Sequence, residues 1–274
     1  MPYIQSNNGE EKINLFYEDL GTGKTVVFIH GWPSSHDMWE YQINEMAGKG
    51  YRCIAYDRRG FGKSDKPWSG YDYDSLADDL KAVIDTLELT DVTLVGFSMG
   101  GGEVARYLGK YGNEKISKAV LISAVTPYLL KDDSNPDGVP EDVFITMMEK
   151  LWDDRPAFLA DFGNNFFGVG LLSKPVSDEF LQYSQSLQWV ASPKGTRDCV
   201  TSFSHTDFRD DLATISIPTL IVHGDTDKIV PIEISGNVSA KMIANSRYLV
   251  YEGAPHGLYY TEKEKLNKDL MEFI

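Results

Sequence analysis

A serine between closely spaced glycines is the first feature of this sequence that could do covalent chemistry. The apolar run at residues 92–95 leads directly into Gly-Phe-Ser-Met-Gly at residues 96–100, with Ser98 at its centre. Apolar residues at helical spacing follow, and Gly112 ends that pattern. The order strand, turn, helix is the context in which a G-x-S-x-G motif presents a nucleophile. We therefore predict that Ser98 is a catalytic nucleophile.

The two glycines of this motif have a steric explanation. A serine held on a sharp turn between strand and helix leaves no room for side chains two residues before it and two residues after it. Its hydroxyl is then exposed at the edge of the sheet, close to a helix N-terminus that favours negative charge. The prediction thus depends on the spacing of Gly96, Ser98 and Gly100 and on the elements around them.

A serine hydroxyl needs a neighbouring base, and that base needs an orienting carboxylate. The chain has five histidines. His256 lies in the loop that follows the last predicted strand, from which it could fold back over the carboxyl edge of the sheet. We predict that His256 is the base. Structural or solvated roles are expected for the other four, which are His30, His36, His205 and His223.

The orienting carboxylate is expected in the loop Ile-Val-His-Gly-Asp-Thr-Asp at residues 221–227. Asp225 and Asp227 are both candidates. Asp227 lies further into the loop and can reach towards His256, whereas Asp225 is better placed to bond local backbone N–H groups. We favour Asp227. A metal site made of His223 and the two aspartates is disfavoured, because no fourth ligand is evident, and no metal is predicted.

The elements that must position these residues follow from short apolar, β-branched runs separated by helical patterns. This alternation is typical of parallel βαβ units, and several runs are apolar on both faces, as in strands covered by helices on each side. The predicted fold is α/β, with a mostly parallel, twisted sheet flanked by helices. One exception to the parallel arrangement is predicted, namely an antiparallel strand at residues 13–20.

The strand rhythm stops after residue 125 and returns near residue 217. Helical patterns with Pro and Gly breaks fill the interval. Because the sheet needs its last strands to complete one core, we predict a single domain, with a first core part at 1–125, a helical cap insertion at 126–211 and a second core part at 212–274.

Composition restricts the partners. The chain has 274 residues, 42% of them hydrophobic, and a formal net charge of −15. Nucleic acids and anionic membranes attract clustered Lys and Arg, so neither is an expected partner. No apolar stretch reaches the roughly 18 residues of a membrane span, and the start lacks the pattern of a signal peptide. These features predict a cytoplasmic protein.

Two local signals are interpreted as structural. Gly-Thr-Gly-Lys-Thr at residues 21–25 is similar to part of a phosphate-binding loop, but Glu18 replaces the first glycine and a strand follows instead of a helix. We predict a hairpin turn there. Cys53 and Cys199 fall in a predicted strand and a predicted helix far apart along the chain, so both are expected to be buried thiols without a disulfide.

The motifs together resemble the α/β-hydrolase superfamily, in particular its cofactor-free, non-heme haloperoxidase and aryl-esterase branch. The resemblance covers nearly the whole chain. It depends on the following stretches: His30-Gly31, "YDRRGFGKSDKPW", "GFSMGGGEVARY", "TDFRDDL", "HGDTDKIVP" and "APHG". It implies the same nucleophile, base and carboxylate, which are Ser98, His256 and Asp227, and no cofactor.

The resemblance also implies residues that spacing alone does not indicate. The oxyanion hole would consist of the backbone N–H groups of Trp32 and Met99. The loop that contains residues 57–59 would be structural, although its charged residues look catalytic in isolation. His205 stands where relatives are expected to have an acidic residue, and we assign it no function. The acyl pocket would be lined by Phe97, Phe162, Phe166, Ile229 and Val230.

Pro33 follows the predicted donor Trp32 and has no N–H itself. Because the residue before a proline is restricted towards extended backbone, Pro33 is expected to hold the Trp32 carbonyl in one orientation. The resemblance implies that proline at this position accompanies better perhydrolysis, with that carbonyl accepting a hydrogen bond from hydrogen peroxide. We therefore place Pro33 among the substrate-binding residues.

The implied activity is acyl transfer from small-molecule esters to water, with hydrogen peroxide as a second acceptor that yields a peracid and haloperoxidase behaviour. Two alternatives stay open: a lactamase or amidase that uses the same residues, and a non-catalytic ligand receptor on the same fold. Carbon–halogen and epoxide hydrolases of this superfamily need an aspartate where this chain has Ser98. The resemblance also implies a homo-oligomer.

Overall fold

The computed structural model describes residues 2–7, 12–171 and 173–274. In these ranges eight strands form one sheet. The strands are β1 Tyr3–Ser6, β2 Ile13–Gly21, β3 Lys24–Ile29, β4 Tyr51–Tyr56, β5 Val92–Phe97, β6 Ile116–Ile122, β7 Thr219–Gly224 and β8 Ser246–Tyr251. Every residue of β5 and of β7 is buried, which explains why their sequences are continuous apolar runs.

The strand order is β1-β2-β4-β3-β5-β6-β7-β8. β1 and β2 pair antiparallel, as do β2 and β4, and the remaining neighbours are parallel. The predicted α/β class and the antiparallel strand near the N-terminus are therefore confirmed. The edge strand β1 was not predicted, because its four residues are too few to show a pattern.

The turn between β2 and β3 differs from the prediction. β4 lies between these two strands, so the turn is not a hairpin and instead crosses the start of β4. Gly21 and Gly23 have φ values of 79° and 111°. A Cβ on either would lie 2.2 Å from a carbonyl oxygen, that of Tyr51 or Gly50. The glycines are thus required by a close crossing of two backbones and not by a phosphate.

Helices cover both faces of the sheet. Gly96 meets the helix that follows Ser98, whereas the next residue, Phe97, packs against Trp39 and Tyr259 on the other face. The helices are a 3₁₀ helix at His36–Trp39, α1 Glu40–Gly48, α2 Tyr73–Thr86, α3 Met99–Tyr111, α4 Glu141–Asp153, α5 Arg155–Phe166, α6 Asp178–Trp189, α7 Pro193–His205, α8 Arg209–Thr214, α9 Gly236–Met242, α10 Leu258–Thr261 and α11 Lys263–Phe273.

Helices α4 to α8 lie between β6 and β7 in the chain. α4 packs against α5 and α7, and α5 packs against α6. α8 instead contacts α3 and α9, two helices that pack on the sheet. The predicted cap boundary at residue 211 falls within α8, and the domain limits 1–125, 126–211 and 212–274 stay predictions.

The other structural expectations can be compared directly. Cys53 in β4 and Cys199 in α7 are both free and buried. None of the helices in the described ranges is long and apolar enough to cross a membrane. The Trp32–Pro33 and Thr126–Pro127 peptide bonds are cis.

Candidate active site

Ser98 occupies a strained turn between β5 and α3, with φ 54° and ψ −118°. A Cβ on Gly96 would lie 2.3 Å from the Gly100 oxygen, and one on Gly100 would lie 2.4 Å from the Ile29 oxygen. Real Cβ contacts are not that short, so both positions need glycine. This agrees with the steric reason given for the motif. A non-glycine residue at positive φ is uncommon and is found where the surrounding structure holds it in place.

His256 lies in the loop after β8, and its Nε2 is 3.0 Å from Ser98 Oγ. The loop is fixed from the cap side, because the N–H of Gly257 donates to the Phe166 carbonyl at 2.8 Å. The imidazole ring centre lies 4.9 Å from that of Phe97 and 4.8 Å from that of Phe166. Only 1% of the His256 surface is exposed. The two aromatic rings therefore restrict the position of the imidazole.

Asp227 lies in the loop after β7, and its Oδ2 is 2.6 Å from His256 Nδ1. The other oxygen, Oδ1, accepts from the N–H groups of Ile229 and Val230, both at 2.9 Å. Burial raises the pKa of Asp227, but the charge of His256 and hydrogen bonds from His223 and His256 outweigh that effect and hold the pKa well below its usual range. This carboxylate is therefore ionised at neutral pH.

Asp225 has a different environment. Its side chain is exposed, and Oδ1 accepts from the N–H of Gly253 at 2.7 Å, which ties its loop to the one after β8. Asp227 thus lies beside His256, whereas Asp225 bonds a backbone N–H of the loop after β8 and not, as expected, one in its own turn. His223 was expected to be structural. Its Nε2 lies 3.0 Å from the Val230 carbonyl and 3.3 Å from Asp227 Oδ2.

Trp32 follows β3 and Met99 follows β5, and these two strands are adjacent and parallel. Ile29 of β3 and Gly96 of β5 are register partners, and each of the two residues comes three positions later. Both are buried, yet across the described parts of the chain neither backbone N–H has a hydrogen-bond acceptor. Buried N–H groups without an acceptor are rare. These two can therefore donate to a ligand, and Met99 is also the first residue of α3, where the helix dipole favours an anion.

A cavity of about 320 Å³ opens beside Ser98. Four predicted site residues line it, namely Ser98, Trp32, Phe162 and Ile229. The remaining lining residues include aromatic and aliphatic side chains of the cap and polar groups that are mainly exposed. They are Val125, Leu129, Val139, Val143, Phe144, Met147, Lys150, Phe158, Asp161, Asn165, Phe203, Lys228 and Pro231. The predicted aromatic wall was therefore incomplete, and the i, i+4 spacing of Phe158 and Phe162 on α5 was the signal that could have extended it.

The other predicted pocket residues are not among the residues that line this cavity. Phe97 and Phe166 pack on the ring of His256 instead, because the Phe97 side chain leaves β5 on the face opposite α3. Val230 contributes its N–H to Asp227. Pro33 is buried in the turn next to the cavity residue Trp32. The structure thus places these four behind or beside the cavity and not in its wall.

The charged loop at residues 57–59 makes structural contacts, as expected. Asp57 Oδ1 accepts from the His36 N–H at 2.7 Å. Arg59 forms two hydrogen bonds with Asp79, both 2.6 Å long. Arg58 pairs with Glu103 of α3 at 2.8 Å, a residue that the sequence reasoning missed. The available signal was that Glu103 is the only charged residue between positions 92 and 105.

Two further observations concern ligands and the remaining histidine. Within the described ranges, no group of three or more His, Cys, Asp or Glu side chains is arranged to hold a metal ion.

His205 is exposed at the end of α7, with Nε2 3.6 Å from a Glu141 carboxylate oxygen. It therefore lies in a surface contact within the cap.

Comparison with known proteins supports the resemblance seen in the sequence. The family model described as alpha/beta hydrolase fold matches residues 24–263. A non-heme chloroperoxidase of Kitasatospora aureofaciens is 44% identical over 100% of this chain and 99% of its own length. A bifunctional esterase/perhydrolase of Acinetobacter calcoaceticus is 40% identical over 100% of this chain and 99% of its own.

A solved structure gives the same result in three dimensions. The bromoperoxidase from Bacillus anthracis superimposes with a TM-score of 0.95, at 48% identity and with 99% of both chains covered. Sequence and structure therefore match along essentially the full described length. The chain belongs to the α/β-hydrolase fold family and, within it, to the non-heme haloperoxidase branch.

Proposed function

We propose that the protein is a serine hydrolase that transfers the acyl group of a small ester through an acyl-enzyme on Ser98. One observation carries this proposal. Ser98 Oγ lies 3.0 Å from His256 Nε2, and His256 Nδ1 lies 2.6 Å from Asp227 Oδ2, at the edge of an apolar cavity. This is the arrangement of nucleophile, base and orienting carboxylate that activates a serine hydroxyl.

In the first step, Ser98 Oγ attacks the ester carbonyl carbon while His256 Nε2 takes the hydroxyl proton. Asp227 accepts the Nδ1–H hydrogen bond, which fixes the tautomer and stabilises the imidazolium. The negative charge on the carbonyl oxygen is stabilised by the N–H groups of Trp32 and Met99. One donor of this kind typically lowers the barrier by about 3 kcal/mol. The leaving alcohol then takes the proton from His256.

In the second step, water attacks the acyl-enzyme and His256 accepts its proton, then returns it to Ser98 Oγ as the bond to the acyl carbon breaks and the carboxylic acid leaves. We propose that hydrogen peroxide can replace water. Its attack forms the O–O-containing peracid, which oxidises halide to hypohalous acid and becomes the carboxylate. Relatives named esterase/perhydrolase and non-heme chloroperoxidase support this branch of the mechanism. No cofactor takes part in any of these steps.

The cavity suggests the substrate class. Trp32, Phe162 and Phe203 pack edge to face around it, with ring centres 5.3 and 5.6 Å apart. Aromatic walls of this kind favour flat or short apolar groups. We therefore propose aryl esters and short acyl chains as substrates. The homo-oligomeric state and the cytoplasmic location stay predictions, and sedimentation velocity would test the first.

The direct test replaces Ser98 with Ala and measures hydrolysis of p-nitrophenyl acetate with and without added hydrogen peroxide. We expect kcat to fall by about 10⁶-fold and both acid and peracid production to stop, because the nucleophile is lost.

Ser123→Ala is a matched control. Ser123 is also buried, follows the neighbouring strand β6 and has a positive φ of 43°. It should keep its activity within threefold of the parent enzyme. Turnover at the parent rate in Ser98→Ala would contradict the proposed mechanism.

A further inference from the structure

The two unpaired N–H groups belong to different elements, so their relative position must be set by contacts between those elements. Trp32 lies in the turn after β3, and Met99 begins α3. Arg58 and Glu103 form a fully buried pair of side chains, whose guanidinium Nε and carboxylate Oε2 are 2.8 Å apart. This Arg58–Glu103 pair contacts both elements.

The carboxylate end of the pair is attached to α3. Glu103 is the fourth residue after Met99, so it lies about one turn further along the same helix. The Tyr56 hydroxyl donates to its other oxygen, Oε1. Burial raises the pKa of Glu103 and lowers that of Arg58. Removing one partner from such a pair leaves the other polar group buried without compensation, so each partner holds the other in place.

The guanidinium end of the pair is attached to the turn after β3. Arg58 Nη2 donates to the carbonyl of His30 at 2.8 Å. The backbone N–H of Arg58 also donates to His30 Nε2, at 3.0 Å. Since Nε2 accepts, the ring proton of neutral His30 lies on Nδ1. Burial, followed by the charge of Arg58, lowers the pKa of His30 to about 3, which keeps the ring neutral.

The His30 ring acts on the peptide unit that carries the Trp32 donor. His30 Nδ1 donates to the Gly31 carbonyl at 2.8 Å, and the N–H of Ser34 donates to the same oxygen at 3.0 Å. The Gly31 carbonyl and the Trp32 N–H belong to one planar, trans peptide unit and point in opposite directions. Holding the carbonyl therefore sets the direction of the N–H.

We propose that Glu103 is a positioning residue for the oxyanion hole, acting through Arg58 and His30 to orient the Trp32 N–H relative to the first turn of α3. The inference rests on the proposed function in one respect, namely that these N–H groups bind the oxyanion of the reaction. In the described part of the chain Glu103 does not line the cavity, and its side chain bonds Tyr56 and Arg58 and not Ser98, so its effect on the reaction is indirect.

The neighbouring Arg59–Asp79 pair provides a matched control. It is also buried, with 4% and 1% of the two side chains exposed, and it has two hydrogen bonds of 2.6 Å. In the described part of the chain it donates to no atom of the turn at residues 30–34. Loss of this pair should lower stability in the same way, without changing the direction of the Trp32 N–H.

The test compares Glu103→Ala, Glu103→Gln and Asp79→Ala. Each variant is assayed for kcat and KM with p-nitrophenyl acetate, and for inhibition by an aryl trifluoromethyl ketone that forms a reversible tetrahedral adduct on serine. For Glu103→Ala we expect kcat to fall about 30-fold or more, KM to stay within threefold, and the ketone Ki to rise with the fall in kcat. Asp79→Ala should change these constants by less than threefold.

Glu103→Gln should recover much of the lost kcat, because its amide oxygen can still accept from Arg58 Nε. If Glu103→Ala does not fold, as judged by circular dichroism, Arg58→Lys replaces it. Lysine keeps the positive charge but lacks the planar guanidinium fork that holds the Glu103 carboxylate and the His30 carbonyl in a fixed geometry, so the same pattern is expected. An equal loss of kcat in Glu103→Ala and Asp79→Ala, or an unchanged ketone Ki, would overturn the proposal.

A second measurement tests the positioning role of Glu103 independently of the reaction that the enzyme performs. The backbone amide resonance of Trp32 in the ligand-free protein should shift in Glu103→Ala and stay in place in Asp79→Ala, whatever reaction the enzyme performs. An unmoved Trp32 resonance overturns the positioning role even if esterase activity is present. Retained hydrolysis in Ser98→Ala would instead contradict the proposed function and leave the amide result unaffected.

Discussion

The two halves of the candidate site use different chemical groups of the chain. On one side, Asp227 and His256 follow β7 and β8 and contribute side chains. On the other, Trp32 and Met99 follow β3 and β5 and contribute backbone N–H groups. A side chain can be removed by a substitution, whereas a backbone donor can be changed only through the residues that orient it. We therefore expect substitutions of Asp227 and His256 to act directly. The N–H groups of Trp32 and Met99 should instead respond to substitutions of the residues that contact their turns.

A histidine on each side makes the difference concrete. His256 faces the Asp227 carboxylate and can take a proton from Ser98. His30 faces the Arg58 guanidinium, and burial together with that charge keeps it neutral with a pKa of about 3. In the proposed mechanism the same residue type thus serves as a base in one environment and as a fixed hydrogen-bond donor in the other.

The largest expected effect is on the proton-transfer side. Asp227→Asn should lower kcat about 10⁴-fold, because the amide no longer fixes the His256 tautomer or stabilises the imidazolium. Asp225→Asn is the matched control, since the Asp225 side chain accepts from the Gly253 N–H and has no hydrogen bond to His256 in the described ranges. Steady-state ester hydrolysis of both variants measures the difference, and a larger loss in Asp225→Asn would reverse our assignment of the carboxylate.

An intermediate effect is expected from pH on the oxyanion side. Folded His30 stays neutral down to about pH 3, whereas an unfolded histidine binds a proton below about pH 6.5. Between these values the unfolded state binds more protons, so His30 makes the folded state less stable as the pH falls. His30→Asn should be destabilised at pH 7, and its deficit should shrink by about 2 kcal/mol at pH 5. Urea unfolding at both pH values measures this change.

His36→Asn provides the control of opposite sign. Burial lowers the pKa of His36, but hydrogen bonding to Asp57 and nearby acidic charges outweigh that effect and raise it. The stability that His36 contributes is therefore fully present below about pH 6.5 and is lost as the pH rises through its folded pKa. The deficit of His36→Asn should grow from pH 8 to pH 5. A deficit that changes in the same direction for both histidines would contradict the opposite pKa shifts of His30 and His36.

The smallest expected effect concerns the choice between water and peroxide. Pro33→Leu removes the restriction on Trp32 and lets its carbonyl reorient. We expect the ratio of peracid to acid to fall several-fold, with ester hydrolysis changed by less, on the order of twofold. Parallel assays of acid and peracid at one peroxide concentration measure the ratio. An unchanged ratio would mean that this turn does not select the nucleophile.

The sequence predicted the parts of the site that depend on residue type and local spacing. The G-x-S-x-G turn, the strand runs and the loop positions of Asp227 and His256 all agree with the structure. The prediction at residues 21–25 was wrong, because a glycine-rich turn has the same local sequence whether its two strands pair or cross a third. Phe97 and Phe166 were predicted in the pocket wall and are not in it. The type of an aromatic residue near a nucleophile does not show which face of its strand or helix it occupies.

The sequence by itself determined the fold class and the chemical nature of the candidate nucleophile, base and carboxylate, because periodicity and side-chain type are local properties. Only the tertiary structure decided which aspartate faces His256, which aromatic rings border the cavity, and that Glu103 pairs with Arg58, which contacts the His30 carbonyl after β3. Those contacts join residues from separate strands and helices. Their geometry depends on how the elements pack, and no local pattern records it.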